Sequence, residues 1–330
     1  PIGGDPAYNG PVRDLVFGAD HPAVTGGRVE TMHTPGGTGA LRVAGDLVST
    51  ISPDASVWLS TPTWPNHPQV FGAAGLPVRS YPYLGEDGEL DIDTLLGVLK
   101  AVPAGDVVVL HGCCHNPTGI DPTAAQWELI ADAVSEAGAL PLLDFAYQGF
   151  ADGLDEDAKG LRALLARERT MLVASSFSKN FALYDERVGA LSIVGADAAE
   201  TATLLSHAKA VIRSNYSNPP AHGGEIVATV LSDPALTERW IGEVGVMRDR
   251  INGNRARFVQ GLQAAGAPGD HGSLMRQRGM FSLLPLGEER VARLRDEFGV
   301  YVVGKGRVNV AGLTAENLEP VCRAIAAVTA

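Results

Sequence analysis

Ala174-Ser175-Ser176-Phe177-Ser178-Lys179-Asn180-Phe181-Ala182-Leu183-Tyr184-Asp185-Glu186-Arg187-Val188-Gly189 is the stretch around which the chain is organised. The apolar run at residues 170–174 predicts a short buried strand, and residues 189–194 predict another. Between them stands one lysine among hydroxyls, with Arg187 further on. Desolvation at the end of a buried strand and a nearby cation both disfavour an ammonium, so such a lysine falls below its reference pKa of about 10.4. A neutral amine attacks aldehydes, the first requirement of Schiff-base chemistry. The flanking serines suit a phosphate, and Arg187 can bind one as a fork of donors. The bland alternative is a solvated loop lysine, and for a lysine taken alone it is the better one.

Composition narrows the field. The 330 residues are 45% hydrophobic and 19% charged, ordinary for a globular chain of one large domain and a smaller one. A net charge of -12 argues against nucleic acid and against an anionic membrane surface, though a site can still be locally basic. Of the three cysteines, Cys113 and Cys114 are adjacent, which is no disulfide framework and fits a reducing, cytoplasmic setting. No CxxC pair has metal-ligand spacing, so no metal is expected; the His/Cys cluster at 111–115 does not change this, because adjacent cysteines splay apart. No apolar run is long enough to span a bilayer.

Taken in order, residues 1–20 read as loop plus a helical turn. Thr34-Pro35-Gly36-Gly37-Thr38-Gly39-Ala40 precedes apolar positions at helical spacing. A glycine-rich turn that opens a helix offers free N–H groups and the positive end of the helix dipole, a phosphate cradle by mechanism. Most such turns are only turns. A strand at 56–60 ends near Trp64, whose flanking prolines stiffen it to stack on a flat ligand or to cap the core. A helix at 70–74, a strand at 77–83 and a helix at 91–102 follow. The strand at 107–110 runs into His111 and Asn116; the proline after Asn116 biases it out of the helical region. Residues 123–137 predict an amphipathic helix. The strand at 140–143 ends in Asp144, with Tyr147 close behind: a costly buried carboxylate that needs a cationic neighbour, or else a helix cap. Beyond the lysine, residues 198–212 and 223–231 read as helices and 213–220 as a polar turn. A long helix at about 234–265 is long enough to link two domains. A strand at 280–284, a helix at 288–298, a strand at 300–303 and a helix from 315 complete a smaller α/β domain. The expected division is 1–245 and 246–330.

Strands alternating with helices imply an α/β chain with a mostly parallel sheet, whose post-strand turns gather at one edge. There the glycine-rich loop, Trp64, Asn116, Asp144, Tyr147 and Lys179 would share one pocket. A phosphate cradle, a stacking ring, a carboxylate and a Schiff-base lysine together describe a site for pyridoxal 5'-phosphate.

At this point the sequence resembles the aspartate/aromatic aminotransferases of fold type I, subgroup I. The matching motifs are Gly36-Gly37-Thr38-Gly39-Ala40, Asn66-His67, His115-Asn116-Pro117-Thr118-Gly119, Asp144-Phe145-Ala146-Tyr147-Gln148-Gly149-Phe150, Ser176-Phe177-Ser178-Lys179-Asn180, Glu186-Arg187-Val188-Gly189 and Gly306-Arg307-Val308-Asn309-Val310-Ala311-Gly312. They run in family order through nearly the whole chain. The resemblance implies a large domain with a mostly parallel seven-stranded sheet. It implies that Lys179 holds the cofactor and shuttles a proton. Gly37, Thr38, Ser176 and Arg187 would cup its phosphate, with Ser178 nearby, and Trp64 would stack on its ring. Asp144 would face the ring nitrogen, with His67 and His111 behind it, and Asn116 and Tyr147 would hydrogen-bond the 3'-oxygen. Arg307 would bind the substrate α-carboxylate bidentately, which lysine could not copy. Arg213 would reach a side-chain carboxylate in the neighbouring subunit, implying a homodimer with shared sites.

The expected reaction is transamination between L-aspartate and 2-oxoglutarate, with aromatic amino acids as the close alternative substrates. The family also carries an N-terminal segment ahead of residue 1, with a dimer-clasping arm, part of the small domain and a tyrosine that contacts the partner's cofactor. Its apparent absence here adds a third expectation, a cofactor-binding remnant with little or no turnover.

Overall fold

The computed structural model describes residues 1–167 and 170–330. Seven strands form the principal sheet: β1 (Val29–Pro35), β2 (Val57–Thr61), β3 (Val78–Pro82), β4 (Val107–His111), β5 (Leu140–Phe145), β6 (Met171–Ser176) and β7 (Val188–Val194). Their spatial order is β1-β7-β6-β5-β4-β2-β3. All pairs are parallel except those of β7, which is antiparallel to both β6 and β1. Being reversed twice, β1 points the same way as β6. The carboxyl ends of β1, β2, β4, β5 and β6 therefore meet the start of β7 at one edge. This is where an open α/β sheet binds its ligand.

The pleat sorts the core. Val107 and Val109 of β4, Leu142 of β5 and Leu172 and Ala174 of β6 face Leu41, Ala44 and Val48 of the helix Gly36–Ile51. Their alternates Val108, Leu110, Leu143 and Val173 face the opposite layer, where Trp127, Ile130 and Val134 of the helix Ala124–Ala137 pack with Leu161 and Leu164. Both faces are covered, so β6 and β7 are buried along their whole length and read as continuous apolar runs.

The smaller sheet pairs β8 (Phe281–Leu283) with β9 (Arg307–Asn309), antiparallel. It packs with the helices Gly287–Phe298 and Leu318–Thr329 against Pro234–Ala264, whose Ile251, Phe258, Val259 and Leu262 are buried in the same cluster as Leu294 and Ile325. Each such side chain contributes about 1.5–3 kcal/mol.

Four expectations about local structure fail. Residues 1–20 hold a full helix, Pro6–Phe17, started by the Asp5 side chain accepting from the Ala7 N–H with Pro6 in the first turn. Gly10 and Pro11 in its interior disguise it. Strand β1 was not foreseen, because Glu30, Thr31, His33 and Thr34 break the apolar pattern; pairing with β7 holds it nonetheless. The helix Ala198–Asn215 continues through Arg213, where a turn was expected. Residues 300–303 form no strand; only an isolated bridge joins Val303 to Arg307. All three cysteines are buried and free, and among the described residues no helix is long and apolar enough to cross a membrane.

Candidate active site

At the shared strand edge lies a cavity of about 290 Å³, lined by Gly37, Thr38, Trp64, His111, Asn116, Asp144, Tyr147, Ser176, Lys179, Arg187 and Arg307 among others. The register explains the convergence. Ser176 pairs with Gly189 and Pro35 pairs with Val188, which brings the start of the helix Gly36–Ile51 beside Arg187. Asp144 pairs with Ala174, so the carboxylate sits one strand from the lysine turn.

One end of the cavity is an anion seat. The helix Gly36–Ile51 has Pro35 as its N-cap and no side-chain cap, which leaves first-turn N–H groups for a ligand. A Cβ on Gly36, whose φ is +72°, would stand 2.5 Å from Arg187 Nη2. Arg187 itself adopts φ +54°, a conformation that costs a non-glycine residue about 1 kcal/mol or more. Its Nη1 donates to the Tyr184 carbonyl at 2.8 Å and, more distantly, to Ser178 Oγ at 3.4 Å. Such an Arg187 is held by its surroundings and faces the glycines.

In the middle, Lys179 Nζ lies 4.5 Å from the centroid of the Tyr147 ring. Burial pushes its pKa below the ordinary lysine value; Asp144 opposes this and Arg187 adds to it. This is the desolvated, cation-flanked lysine that amine chemistry requires.

At the far end, Asp144 Oδ2 lies 3.0 Å from His67 Nε2, while His67 Nδ1 meets Thr63 Oγ1 at 2.8 Å. Burial pushes the Asp144 carboxyl up, but the hydrogen bond and charge of His67, with His111 and Lys179, more than offset this and hold it below the usual range. The site thus keeps a carboxylate ionised in an apolar wall. His67 is wholly buried against Asp144. His111 lines the cavity, with its ring 5.1 Å from that of His67. Burial and His67 push His111 down to about 3, against the pull of Asp144. Donor atoms of His67, His111 and Asp144 lie within 4.8 Å of one another, a spacing that a metal ion would also accept, although the His67–Asp144 hydrogen bond already accounts for it.

Across the cavity, Arg307 Nη1 donates to Asn116 Oδ1 at 3.0 Å, and Asn116 Nδ2 donates to the Tyr147 hydroxyl at 3.4 Å. The Arg307 guanidinium rests 4.5 Å from the centroid of the Phe281 ring. Trp64 lines the wall edge-on to His67, with the ring centroids 5.2 Å apart. Arg213 is not brought in. It is exposed on its helix, and its Nη1 donates to Ser217 Oγ at 2.5 Å. Sequence reading missed Phe281, Tyr184, Cys113 and Leu41, which also line the cavity. Phe281 was detectable in principle: it lies in the strand expected at 280–284.

Residues 1–325 match the family model described as aminotransferase class I and II. The chain belongs to that family. It is 52% identical to aspartate aminotransferase from Escherichia coli (strain K12), over 99% of this chain and 83% of that protein. It is 46% identical to aromatic-amino-acid aminotransferase from Pseudomonas aeruginosa, over 99% of this chain and 82% of that one. Among solved structures, that of aromatic-amino-acid aminotransferase from Burkholderia pseudomallei, covalently bound to pyridoxal phosphate, superimposes with a TM-score of 0.97 at 46% identity. It is matched over 83% of its length by 100% of this chain. The class I aminotransferase architecture, with a mostly parallel seven-stranded sheet and a smaller C-terminal sheet, is the fold of this chain.

Proposed function

We propose that the chain catalyses transamination between L-aspartate and 2-oxoglutarate, giving oxaloacetate and L-glutamate in two alternating half-reactions, with pyridoxal 5'-phosphate as cofactor. The observation that carries this reading is the place of Lys179, in one cavity between the anion seat at Arg187 and the ionised Asp144. The cofactor fits the donor set: an uncapped helix start with Gly36, where a Cβ would strike Arg187, a carboxylate at the opposite end, and the Trp64 ring in the wall between.

Gly37, Thr38, Ser176 and Arg187 would hold the cofactor phosphate, Trp64 would cover its ring, and Asn116 and Tyr147 would donate to its 3'-oxygen. Asp144, kept ionised by His67 with His111 alongside, would pair with the ring nitrogen. When bound, the cofactor supplies an electron sink for the bonds at the substrate α-carbon. Lys179 would hold the cofactor and, through Nζ, take up and return the α-proton; its lowered pKa favours the neutral amine that this needs. Arg307, aimed by Asn116 Oδ1 and the Phe281 ring, binds the α-carboxylate with two parallel N–H bonds. Arg213, exposed and outside its own cavity, reaches the side-chain carboxylate in a second copy of the chain, so the working form is a homodimer with shared sites. Residues 1–245 make the cofactor domain and 246–330 the smaller one, with the helix Pro234–Ala264 spanning the division.

Aromatic amino acids are the second reading, because similar relatives carry both names. The test is the visible spectrum of the purified chain with added pyridoxal phosphate, followed by L-aspartate and, separately, L-phenylalanine. The reading predicts a band that L-aspartate converts to the amine form. Conversion by L-phenylalanine with the greater efficiency would favour the aromatic reading. A band indifferent to both would leave a cofactor-binding remnant and overturn transamination.

A further inference from the structure

Asn116 has two partners pulling at one amide: Arg307 at its oxygen and the Tyr147 hydroxyl at its nitrogen. Yet it stands in a loop with no regular structure, between β4 and the helix Ala124–Ala137. Cys114, two positions before it, holds φ +52°, and a non-glycine residue stays in that region only where its surroundings over-determine it. The determinant is Asp121. Its Oδ2 accepts from the Cys114 N–H at 2.7 Å and its Oδ1 from the His115 N–H at 2.8 Å. Consecutive amides converging on one anion form a nest, which fixes the backbone on both sides of the strained residue. The buried His115 ring closes the loop from the other side. Its nitrogens meet Ser60 Oγ of β2 at 3.0 Å and Thr118 Oγ1 at 2.9 Å, and its face stacks on Tyr83 with a centroid separation of 3.8 Å. The loop also meets the smaller sheet's unit, because the Arg278 N–H donates to the Gly119 carbonyl at 2.6 Å.

We propose that Asp121 is a positioning residue: by clamping the Cys114 and His115 amides it sets the aim of the Asn116 side chain between Arg307 and Tyr147. It does not line the cavity. The inference rests on the function proposed above for its kinetic consequences, but not for its geometry.

The test compares the cofactor-loaded chain with Asp121→Ala and Asp121→Asn. The asparagine keeps one acceptor oxygen and guards against an alanine variant that fails to fold. In Asp121→Ala, KM for L-aspartate rises about tenfold, the effect of one weakened charge-assisted hydrogen bond at Arg307, while kcat changes less. The pH at which the visible band of the loaded enzyme titrates moves upward, because a donor to the ring oxygen is misaimed. Asp121→Asn lies between alanine and the native chain in both. A third readout needs neither turnover nor cofactor: with selectively 15N-labelled asparagine, the Asn116 side-chain NH2 resonances shift in Asp121→Asn. If that chain folds, loses thermal stability and yet leaves those resonances in place, the clamp is structural only and the proposal is overturned. A native chain without the half-reaction would sink the proposed function, and the resonance measurement would still decide the role of Asp121.

Discussion

At the scale of the residue, the proposed function gives Lys179 and Arg307 separable failures. Lys179 is half-buried beside Tyr147, and its desolvation together with the Arg187 charge favours its neutral form. Lys179→Ala removes nucleophile and proton shuttle together, so the half-reaction with L-aspartate should slow by at least about 10³-fold, read by single-turnover absorbance. Cofactor binding should persist through the phosphate seat, which that substitution leaves intact. Arg307 fails differently. Arg307→Lys keeps the charge but loses the planar fork held between Asn116 and Phe281. KM for L-aspartate should rise roughly 10- to 100-fold, the equivalent of one or two charge-assisted hydrogen bonds, with a smaller change in kcat. Most of this chemistry was legible in the sequence because the residue types are rare in combination: a lysine, a carboxylate and an amide each just past or at the end of an apolar run. Tyr184 was not, since an exposed tyrosine in a loop carries no pattern; only the fold shows it at the cavity mouth, with its carbonyl holding Arg187.

At the scale of the element, the phosphate seat depends on two backbones in contact. Gly189, the second residue of β7, lies against the start of the helix Gly36–Ile51, and a Cβ there would run into the Gly36 carbonyl carbon. Neither backbone can yield without moving β1 or β7. Gly189→Ala should cost about 1–3 kcal/mol of stability, as overpacking does, and should also weaken cofactor retention, because Gly36, Gly37 and Thr38 are displaced with it. Urea midpoint and cofactor dissociation constant, measured together, check both. An unchanged dissociation constant would detach the seat from this contact. The central parallel strands β4, β5 and β6 were legible as apolar runs punctuated by turns, because both their faces are buried. β1 was not, since polar residues interrupt its apolar pattern, and only the fold shows Thr31 Oγ1 sharing a 2.7 Å hydrogen bond with Ser192 Oγ of the paired strand. The expected strand at 300–303 failed for the converse reason. Tyr301 and Val303 are exposed there, and β-propensity without a partner does not make a strand.

At the scale of the molecule, the buried histidines tie stability to pH. Burial pushes His33 down to about 4 and His111 to about 3, and takes His115 well below the ordinary value. Below about pH 6.5 the unfolded chain binds protons there that the folded chain does not, so stability falls with pH by at most about 1.4 kcal/mol per unit for each. Asp121, pushed up to about 6 by burial, and Asp157, also raised by burial, act oppositely by holding protons in the folded chain. Three histidines against two carboxyls leave a net loss toward acid. The urea midpoint of the cofactor-free chain should be lower at pH 5 than at pH 7, and His33→Gln should flatten that slope. In the proposed function, sheet edge, helix start and smaller unit together present one amine, Lys179, to an aldehyde cofactor. The most direct measurement is the mass of the chain after loading with pyridoxal phosphate and reduction with borohydride, followed by mapping of the modified peptide. The account predicts a single adduct per chain, on Lys179. No adduct, or one spread over the exposed lysines, would contradict it.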